Sequence, residues 1–369
     1  MRKKQKRSRK MEGIYIIIPA LEPEERLCSY VSELCRKIQG HIIVVDDGSG
    51  DRYQPIFDRI RAKQKCTVLT HSENKGKGRA LKTAFGYVKE KGGKGSRILC
   101  VDSDGQHAAV DVFRILGKMC DEPKGVILGE RDFSRGGIPF RSWIGNRVIS
   151  LMFWLESGKW LRDTQTGLRA FDGEYLDVML EVPGERFEYE MQALLTCIRE
   201  KIPIRTERIC TIYENGNAGS HFRPIRDSVR VVKVLCPTLF RFIFSSIFCT
   251  FLDLLLFCVS LQILKRTSLA VVLQITVATY VARAGSAVSN YILNRIGVFG
   301  CKDDGASFLR YLLLCLFLGA GSAAFVSAVT TFFSVNPVCG KILCDTILFF
   351  LSYRMQKSWV FQKGTRGNR

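Results

Sequence analysis

The sequence predicts an α/β domain with a mostly parallel sheet, followed by an all-α domain of four transmembrane helices. In the first part of the chain, short apolar runs alternate with segments of helical spacing, which is typical of a parallel sheet covered by helices. The last third is apolar, because only four of the 35 acidic residues lie between Leu239 and Phe361. That imbalance indicates a soluble domain joined to a membrane domain.

Four short apolar runs predict strands of the sheet, and polar residues follow at their ends. The carboxyl ends of parallel strands meet at one edge of a sheet, where ligands bind. Helical spacing over Glu24–Ile38, and from Asn74 to about Lys89, supplies the connecting helices. We therefore expect one polar site at this edge. The four runs are Ile14–Pro19, His41–Val45, Cys66–Thr70 and Ile98–Val101.

The apolar third contains four stretches long enough to cross a hydrocarbon core of ~30 Å. Basic residues gather before the first stretch, between the second and third, and after the fourth. The positive-inside rule therefore predicts a multi-pass protein of the cell membrane, with both termini and the first domain in the cytoplasm. The expected spans are 242–264, 268–293, 311–333 and 338–350.

The ends of two predicted spans resemble each other. In Asn290–Phe299 and Ser352–Phe361, Tyr291 aligns with Tyr353 and Arg295 with Lys357, and both segments end in Val-Phe. An old duplication of a helix pair explains this better than chance similarity, since many membrane proteins are built from repeats.

The net charge of +20 favours anionic partners such as phospholipid head groups and phosphates. Nucleic acid is not expected, because no recognised binding motif accompanies the charge. No feature of the sequence predicts an oligomeric state. The expected division is a disordered basic tail over 1–12, the α/β domain over 13–235, the membrane domain over 236–363 and a basic tail over 364–369.

The most informative polar cluster is Asp102-Ser103-Asp104, which follows the fourth apolar run. Two carboxylates at a strand end suit a hard divalent cation, Mg²⁺ or Mn²⁺, that neutralises a departing diphosphate. Gln106 and His107 continue the cluster. A DxD sequence also occurs in exposed turns, but its position after a buried strand favours the metal site.

Two further clusters lie at strand ends. A carboxylate of Asp46-Asp47-Gly48-Ser49 could accept hydrogen bonds from a base or ribose, or the segment could form an Asx turn. Lys75, Lys77 and Arg79 lie in a glycine-rich helix start that favours phosphate. For Lys77 and Arg79, a solvated basic loop is the favoured interpretation.

Six segments of the first part of the chain together match one family. They are VDDGS, NKGKGRAL, VDSDGQH, GERDF, FRSWIGN and DTQTGLRAF. These segments resemble glycosyltransferase family 2, in particular the dolichol-phosphate mannose synthase and bactoprenol glucosyltransferase branch. The resemblance spans about Gly13 to Arg230 and implies a GT-A-type nucleotide-sugar-binding domain. The last third resembles the GtrA-like four-helix membrane domain, whose endings stand at 290–299 and 357–361.

The resemblance also implies roles for individual residues. Pro19, Asp46 or Asp47, Gly48, Lys75 and Asp102 match positions that bind the nucleotide sugar. The implied metal and diphosphate ligands are Asp102, Asp104 and Gln106, and the implied catalytic residues are Asp104, Arg131, Asp163 and Gln165. The residues implied to meet the acceptor and its phosphate are Arg141, Arg147, Arg169 and His221.

One departure from the family concerns the first strand. The family commonly reads PAYNE there, whereas this chain reads PALEP, with Leu21 and Pro23 in place of the aromatic and the carboxylate. The assignment of the base pocket is therefore weaker than the rest, and Glu22 is a poor substitute for the missing carboxylate.

The implied reaction moves a hexose from a UDP- or GDP-sugar to polyprenyl phosphate, with inversion, at the cytoplasmic face of the membrane. The ionised acceptor phosphate needs no general base. Two alternatives stay open: transfer to a hydroxyl of a polysaccharide or glycolipid, and a flippase for lipid-linked sugar with a regulatory soluble domain. A hydroxyl acceptor would need a base, for which Asp163, Glu188 and Glu190 are candidates.

Overall fold

The chain divides into two compact units, Met1–Leu235 and Cys236–Arg369. The structure is a computed structural model that describes residues 13–121, 124–131, 140–210, 231–301, 305–333 and 337–361. The predicted tails, 1–12 and 364–369, lie outside these described residues.

In the described residues, the first unit is built on a seven-stranded sheet. The strands are β1 (Ile14–Ala20), β2 (His41–Asp46), β3 (Cys66–Thr70), β4 (Arg97–Cys100), β5 (Val126–Arg131), β6 (Arg169–Asp172) and β7 (Ile204–Ile209). Their order across the sheet is β3-β2-β1-β4-β6-β5-β7.

The sheet is mostly parallel, which confirms the predicted fold class. Strands β1 to β4 pair in parallel with their neighbours, as do β5 and β7. β6 is the exception, since it runs antiparallel to both β4 and β5. The chain therefore enters β6 at the edge where β4 ends, and this brings the DTQTG segment to the end of β4.

Helices cover the sheet and bury their apolar faces on it. In Arg26–Lys37, the buried residues Leu27, Val31 and Leu34 recur at helical spacing and join one core with residues of the central strands. The helices of this unit are α1 (Arg26–Lys37), α2 (Gln54–Arg61), α3 (Lys77–Lys91), α4 (Ala109–Asp121), α5 (Phe140–Ser157), α6 (Leu176–Glu181) and α7 (Glu188–Arg199).

The second unit contains four long helices in the described part of the chain. They are α8 (Pro237–Leu264), α9 (Val271–Leu293), α10 (Ser307–Phe333) and α11 (Pro337–Met355). Each overlaps one predicted span. By length and composition, Pro237–Leu264 and Val271–Val298 could each cross a membrane, and Ser307–Ser322 is a shorter apolar stretch.

Charged residues inside these helices have polar partners, either on a neighbouring helix or on the same helix. Ser286 Oγ donates to Asp253 Oδ1 at 2.9 Å, and Arg283 Nε lies 3.9 Å from the same oxygen. In the second helix pair, Lys341 Nζ lies 2.8 Å from Asp345 Oδ1. Pairing of this kind lowers the cost of burying an ionised group in an apolar helix.

Candidate active site

Asp102 is the point where separate segments of the first unit meet. It lies two residues after β4, at the carboxyl edge of the sheet. Lys77 Nζ lies 2.6 Å from Asp102 Oδ1, and His107 Nε2 lies 3.3 Å from Asp102 Oδ2. The first turn of α3 and the DGQH loop are thereby both tied to this one carboxylate.

Lys77 joins Asp102 to a second carboxylate. Its Nζ lies 3.0 Å from Glu190 Oε1 on α7, and its side chain is only 16% exposed. Burial lowers the pKa of Lys77, but Asp102 and Glu190 outweigh burial and hold that pKa above its ordinary value. For the acid Asp102, burial acts in the opposite direction and raises the pKa. Lys77 and His107 together outweigh burial and hold the pKa of Asp102 well below its ordinary value. Both groups are therefore ionised at neutral pH.

Asp104 lies in a different electrostatic situation. Its Oδ1 accepts a hydrogen bond from the backbone N–H of Gln106 at 3.0 Å, which closes a tight turn. Burial, followed by the neighbouring charge of Asp102, raises the pKa of Asp104 above its ordinary value. An additional cation beside the two carboxylates would relieve this repulsion, because opposite charge favours the ionised form.

The DTQTG segment packs directly on Asp102 through Gly167. A Cβ built on Gly167 would lie 2.0 Å from Asp102 Oδ2, so only glycine fits there without displacing the carboxylate. Arg169, at the start of β6, holds this segment in place. Its buried guanidinium donates to the carbonyl oxygens of Thr164, Thr166 and Glu190 at 3.0, 2.8 and 2.5 Å.

A buried ion pair fixes the start of the same segment. Arg131 Nε donates to Asp163 Oδ2 at 2.7 Å, and Arg131 Nη2 donates to Asp163 Oδ1 at 3.0 Å. The backbone N–H of Gln165 donates to Asp163 Oδ1 at 3.1 Å. Asn146 of α5 adds a hydrogen bond of 2.6 Å to the carbonyl oxygen of Arg162. The fully buried Asp163 therefore orders the corner, and its two oxygens are both occupied.

The Asp46-Asp47-Gly48-Ser49 segment forms a turn that is bonded internally. Asp46 Oδ1 accepts from the backbone N–H of Ser49 at 2.9 Å, as in the Asx turn considered above. Asp47 accepts from the backbone N–H groups of Lys75 and Gly76 at 3.0 and 2.7 Å. His71 Nδ1 lies 2.7 Å from Asp47 Oδ1. Asp47 thus connects the second strand end to the glycine-rich loop.

Gly48 is required for this close approach. Its φ is +75°, and a Cβ on it would lie 2.3 Å from the carbonyl carbon of Glu73. Any other residue would face both backbone strain and a backbone clash.

Comparisons with known proteins identify the family. Glycosyl transferase family 2 matches residues 15–178, and the transmembrane domain of the GtrA/DPMS type matches residues 241–361. The UDP-N-acetylglucosamine–dolichyl-phosphate N-acetylglucosaminyltransferase of Methanococcus voltae is 30% identical over 219 residues, which cover 54% of this chain and 86% of that protein. The chain belongs to glycosyl transferase family 2. It is a membrane protein and a glycosyltransferase.

Two other similarities are more distant. The polyprenol monophosphomannose synthase of Mycolicibacterium smegmatis is 26% identical to this glycosyltransferase over 168 residues, covering 44% of this chain and 62% of that protein. Among solved structures, glucosyl-3-phosphoglycerate synthase from Mycobacterium tuberculosis, in complex with Mn²⁺, UDP and its product, matches with a TM-score of 0.46 and 16% identity. That match covers 60% of this chain and 78% of that chain.

The structure brings some of the predicted residues of the glycosyltransferase together and leaves others apart. Asp102, Asp104 and Gln106 lie in one turn, and Pro19 is buried near the end of β1, opposite Val45. Arg147 is exposed on α5 and lies over the Trp143 ring, 5.8 Å from its centroid. The side chain of Arg141 and all of His221 fall outside the described residues.

Arg169 stays a predicted acceptor-site residue. In the structure its guanidinium donates to three carbonyl oxygens in the interior and so holds the DTQTG segment. A buried guanidinium needs partners of this kind for its donors.

Sequence reasoning did not foresee the roles of Lys77 and His71, and it named Glu190 only as a candidate base. Lys77 was interpreted as a solvated cation, yet it bridges two carboxylates. The feature of the sequence that could have indicated this role is the position of Lys77 in the first turn of a helix that begins at the ligand edge of the sheet. His71 directly follows β3 at the same edge, which was the corresponding signal for the residue that supports Asp47.

Proposed function

We propose that this glycosyltransferase moves a hexose from a UDP- or GDP-sugar to polyprenyl phosphate, with inversion at the anomeric carbon. The observation that carries the proposal is the carboxylate centre at Asp102 and Asp104, built by four segments at the carboxyl edge of the sheet. The same chain carries a GtrA/DPMS-type membrane domain. Two relatives are named for transfer to dolichyl phosphate and for polyprenol monophosphomannose synthesis, which supports a lipid phosphate acceptor.

A divalent cation, Mg²⁺ or Mn²⁺, fits this centre. Its protein ligands would be Asp104 and Asp102, with Gln106 beside them. Burial and the neighbouring charge of Asp102 raise the pKa of Asp104, and a bound cation would favour its ionised form. Mg²⁺ is usually held by one or two carboxylates together with substrate phosphates and water, so two carboxylates suffice. When bound, the cation would neutralise negative charge on the leaving nucleoside diphosphate.

The chain's own residues supply orientation and charge. Lys77 keeps Asp102 ionised and fixed, and Gly167 lets the DTQTG segment approach it closely. We propose that Asp46, Asp47, Gly48 and Lys75, with Pro19, border the nucleotide end of the site. The pair formed by Arg131 and Asp163 and the adjacent Gln165 border the sugar and its phosphates. Arg141, Arg147 and His221 are proposed to meet the acceptor.

The candidate general bases favour a phosphate acceptor. Asp163 is held by Arg131, Glu190 by Lys77, and Glu188 Oε1 accepts from the backbone N–H groups of Glu185 and Arg186. Asp163 and Glu190 are each held by a cation and are therefore poor bases for a sugar hydroxyl, whereas an ionised lipid phosphate attacks without a base. The reaction then depends on positioning and on neutralisation of charge.

The product distinguishes this proposal from its alternatives. Membranes that contain the full-length protein, incubated with radiolabelled UDP- or GDP-sugar, should transfer label to a lipid whose mass is that of a glycosyl phosphoryl polyprenol. Because a glycosyl phosphate is acid-labile, mild acid should release the sugar. A label that survives mild acid would indicate a glycoside of a hydroxyl acceptor. Label found in no lipid or polysaccharide would contradict enzymatic transfer altogether.

We further propose that the first unit faces the cytoplasm. A cysteine at position 366 should then react only after the membrane is permeabilised, and one at position 265 should react from outside, each compared with unmodified protein. External labelling at position 366 would overturn this orientation. The proposal rests on an excess of basic residues at one set of helix ends: Arg223, Arg226, Arg230, Lys233, Arg241, Arg295, Lys302, Arg310, Arg354, Lys357, Lys363, Arg366 and Arg369, against Lys265, Arg266 and Lys341.

A further inference from the structure

The two similar sequence segments of the membrane unit have the same backbone structure. Each ends in a single π-helical turn, Asn294–Val298 in the first and Gln356–Val360 in the second. Each turn is closed by an equivalent hydrogen bond of 2.8 Å, from Phe299 N to Asn294 O and from Phe361 N to Gln356 O. Because π-turns are rare and often mark functional sites, two at aligned positions are a specific feature.

The two turns also contact each other reciprocally. Asn294 Nδ2 donates to Gln356 Oε1 at 2.9 Å, so the aligned amides meet directly. The rings of Phe299 and Phe361 stack with centroids 5.2 Å apart. Reciprocal contacts of this kind are those of a two-fold interface, in which the same surface contributes from both sides. The crossed aromatic contacts are Tyr291 with Phe361 at 5.7 Å and Tyr353 with Phe299 at 6.1 Å.

Each turn carries one cation in an equivalent position. Arg295 Cζ lies 5.4 Å from the Tyr291 ring centroid, and Lys357 Nζ lies 5.8 Å from that of Tyr353. Both tyrosines are buried, and both cations are half-buried. A cation held against a buried ring in this way has fewer conformations to lose when it binds an anion.

The surroundings indicate which anion these cations meet. Two exposed residues follow each cation in the sequence. Ile296, after Arg295, is 62% exposed, and Trp359, after Lys357, is 38% exposed. Exposed apolar and tryptophan side chains at the end of a membrane helix are typical of the boundary between hydrocarbon and head groups. Lipid phosphates lie at that depth.

We propose that Arg295 and Lys357 form two equivalent binding sites for lipid phosphate, one in each repeat of the membrane unit. The first site presents a guanidinium, which can bind two phosphate oxygens, and the second presents an ammonium point charge. The argument for these sites rests on the membrane unit alone and does not depend on the proposed transfer reaction. The phosphate belongs either to a phospholipid diester or to a polyprenyl phosphate monoester.

Native mass spectrometry of the full-length protein in micelles with phosphatidylglycerol tests the proposal. Wild-type protein should retain two lipids per chain, Arg295→Gln and Lys357→Gln one each, and the double variant none. Arg266→Gln removes an exposed cation at the other end of the helices and should retain two. Arg295→Lys and Lys357→Arg keep the charge and should also retain two, which separates lost binding from lost folding.

Any other pattern counts against two equivalent sites. The proposal is overturned if either single variant keeps both lipids or loses both, or if Arg266→Gln loses as many as Arg295→Gln. Added farnesyl phosphate identifies the source: displacement of phosphatidylglycerol assigns the sites to the monoester, and retention assigns them to phospholipid. Because the readout is bound lipid, it does not depend on transferase activity.

Discussion

Replacement of Asp104 by Asn should abolish sugar transfer while the protein remains folded in the membrane. We expect a loss on the order of 100- to 1,000-fold in kcat, the size seen when one preorganised charge-stabilising group is removed from an active site. The amide keeps the shape of the side chain and the turn at Gln106, but it lacks the charge that would bind a divalent cation. Initial rates of lipid labelling measure the effect.

The matched control is Asp58→Asn. Asp58 lies on α2 with a side chain that is 63% exposed, and it forms an exposed ion pair with Arg61, so activity should be unchanged. Wild-type activity should also be lost in a chelator and restored by Mg²⁺ or Mn²⁺. Full activity of wild-type protein in the chelator would refute the metal assignment.

The raised pKa of Asp104 adds a pH dependence to this experiment. A carboxyl whose pKa lies above its ordinary value becomes protonated at a higher pH than other carboxyls, so cation binding weakens earlier on acidification. The metal concentration needed for half-maximal activity should therefore begin to rise at a higher pH than it would for a carboxyl with the ordinary Asp pKa, near 4. A constant requirement down to the ordinary pKa range of Asp, near 4, would show that Asp104 does not bind the cation.

Replacement of Lys77 by Met should cost both stability and donor binding. The substitution leaves Asp102 and Glu190 facing each other with no cation between them. Removal of one partner from a buried pair costs about 3 kcal/mol or more in the free energy of unfolding. Thermal unfolding and calorimetric titration with nucleotide sugar measure the two effects. Lys89→Met, on the same helix, is the control, because Lys89 is 56% exposed in its ion pair with Asp177.

The stability difference between wild type and Lys77→Met should depend on pH in a defined way. The lowered pKa of Asp102 contributes stability above the unfolded pKa of Asp, near 4, and this is lost as the pH falls. The raised pKa of Lys77 contributes stability below the unfolded pKa of Lys, near 10.4, and this is lost as the pH rises. The difference should thus be constant between about pH 5 and 9 and shrink below pH 4. A stability difference that stays constant down to pH 3 would contradict the ion pair.

Much of the fold followed from local pattern. The runs at Ile14, His41, Cys66 and Ile98 are strands within a residue or two of their expected ends. The alternation of strands and helices sufficed to predict a mostly parallel sheet, because strands joined by helical crossovers can be arranged in few other ways. β6 was not foreseen, since a four-residue strand that inserts antiparallel between β4 and β5 has no distinctive spacing of its own.

The site was only partly accessible from sequence. The DSDG motif combines two carboxylates with a position at the end of a strand. These two features sufficed to predict Asp102 and Asp104 as site residues. The neighbours of Asp102 could not be named, because Lys77 and Gly167 come from distant parts of the chain, as does Glu190, the second partner of Lys77. Arg169 shows a second limit, since matching a motif position did not reveal that its guanidinium is bonded to carbonyl oxygens in the interior.

The sequence by itself determined the α/β domain, the four apolar helices, the acidic turn and the resemblance of the two helix ends. These depend on hydrophobic periodicity and local residue type, which a chain displays along its length. Only the tertiary structure decided which charges are paired, that Asp163 and Arg169 order a loop, and that Asn294 meets Gln356 between two π-turns. Such contacts arise when packing excludes water and each buried polar group must find a partner, so they depend on neighbours that the sequence does not place.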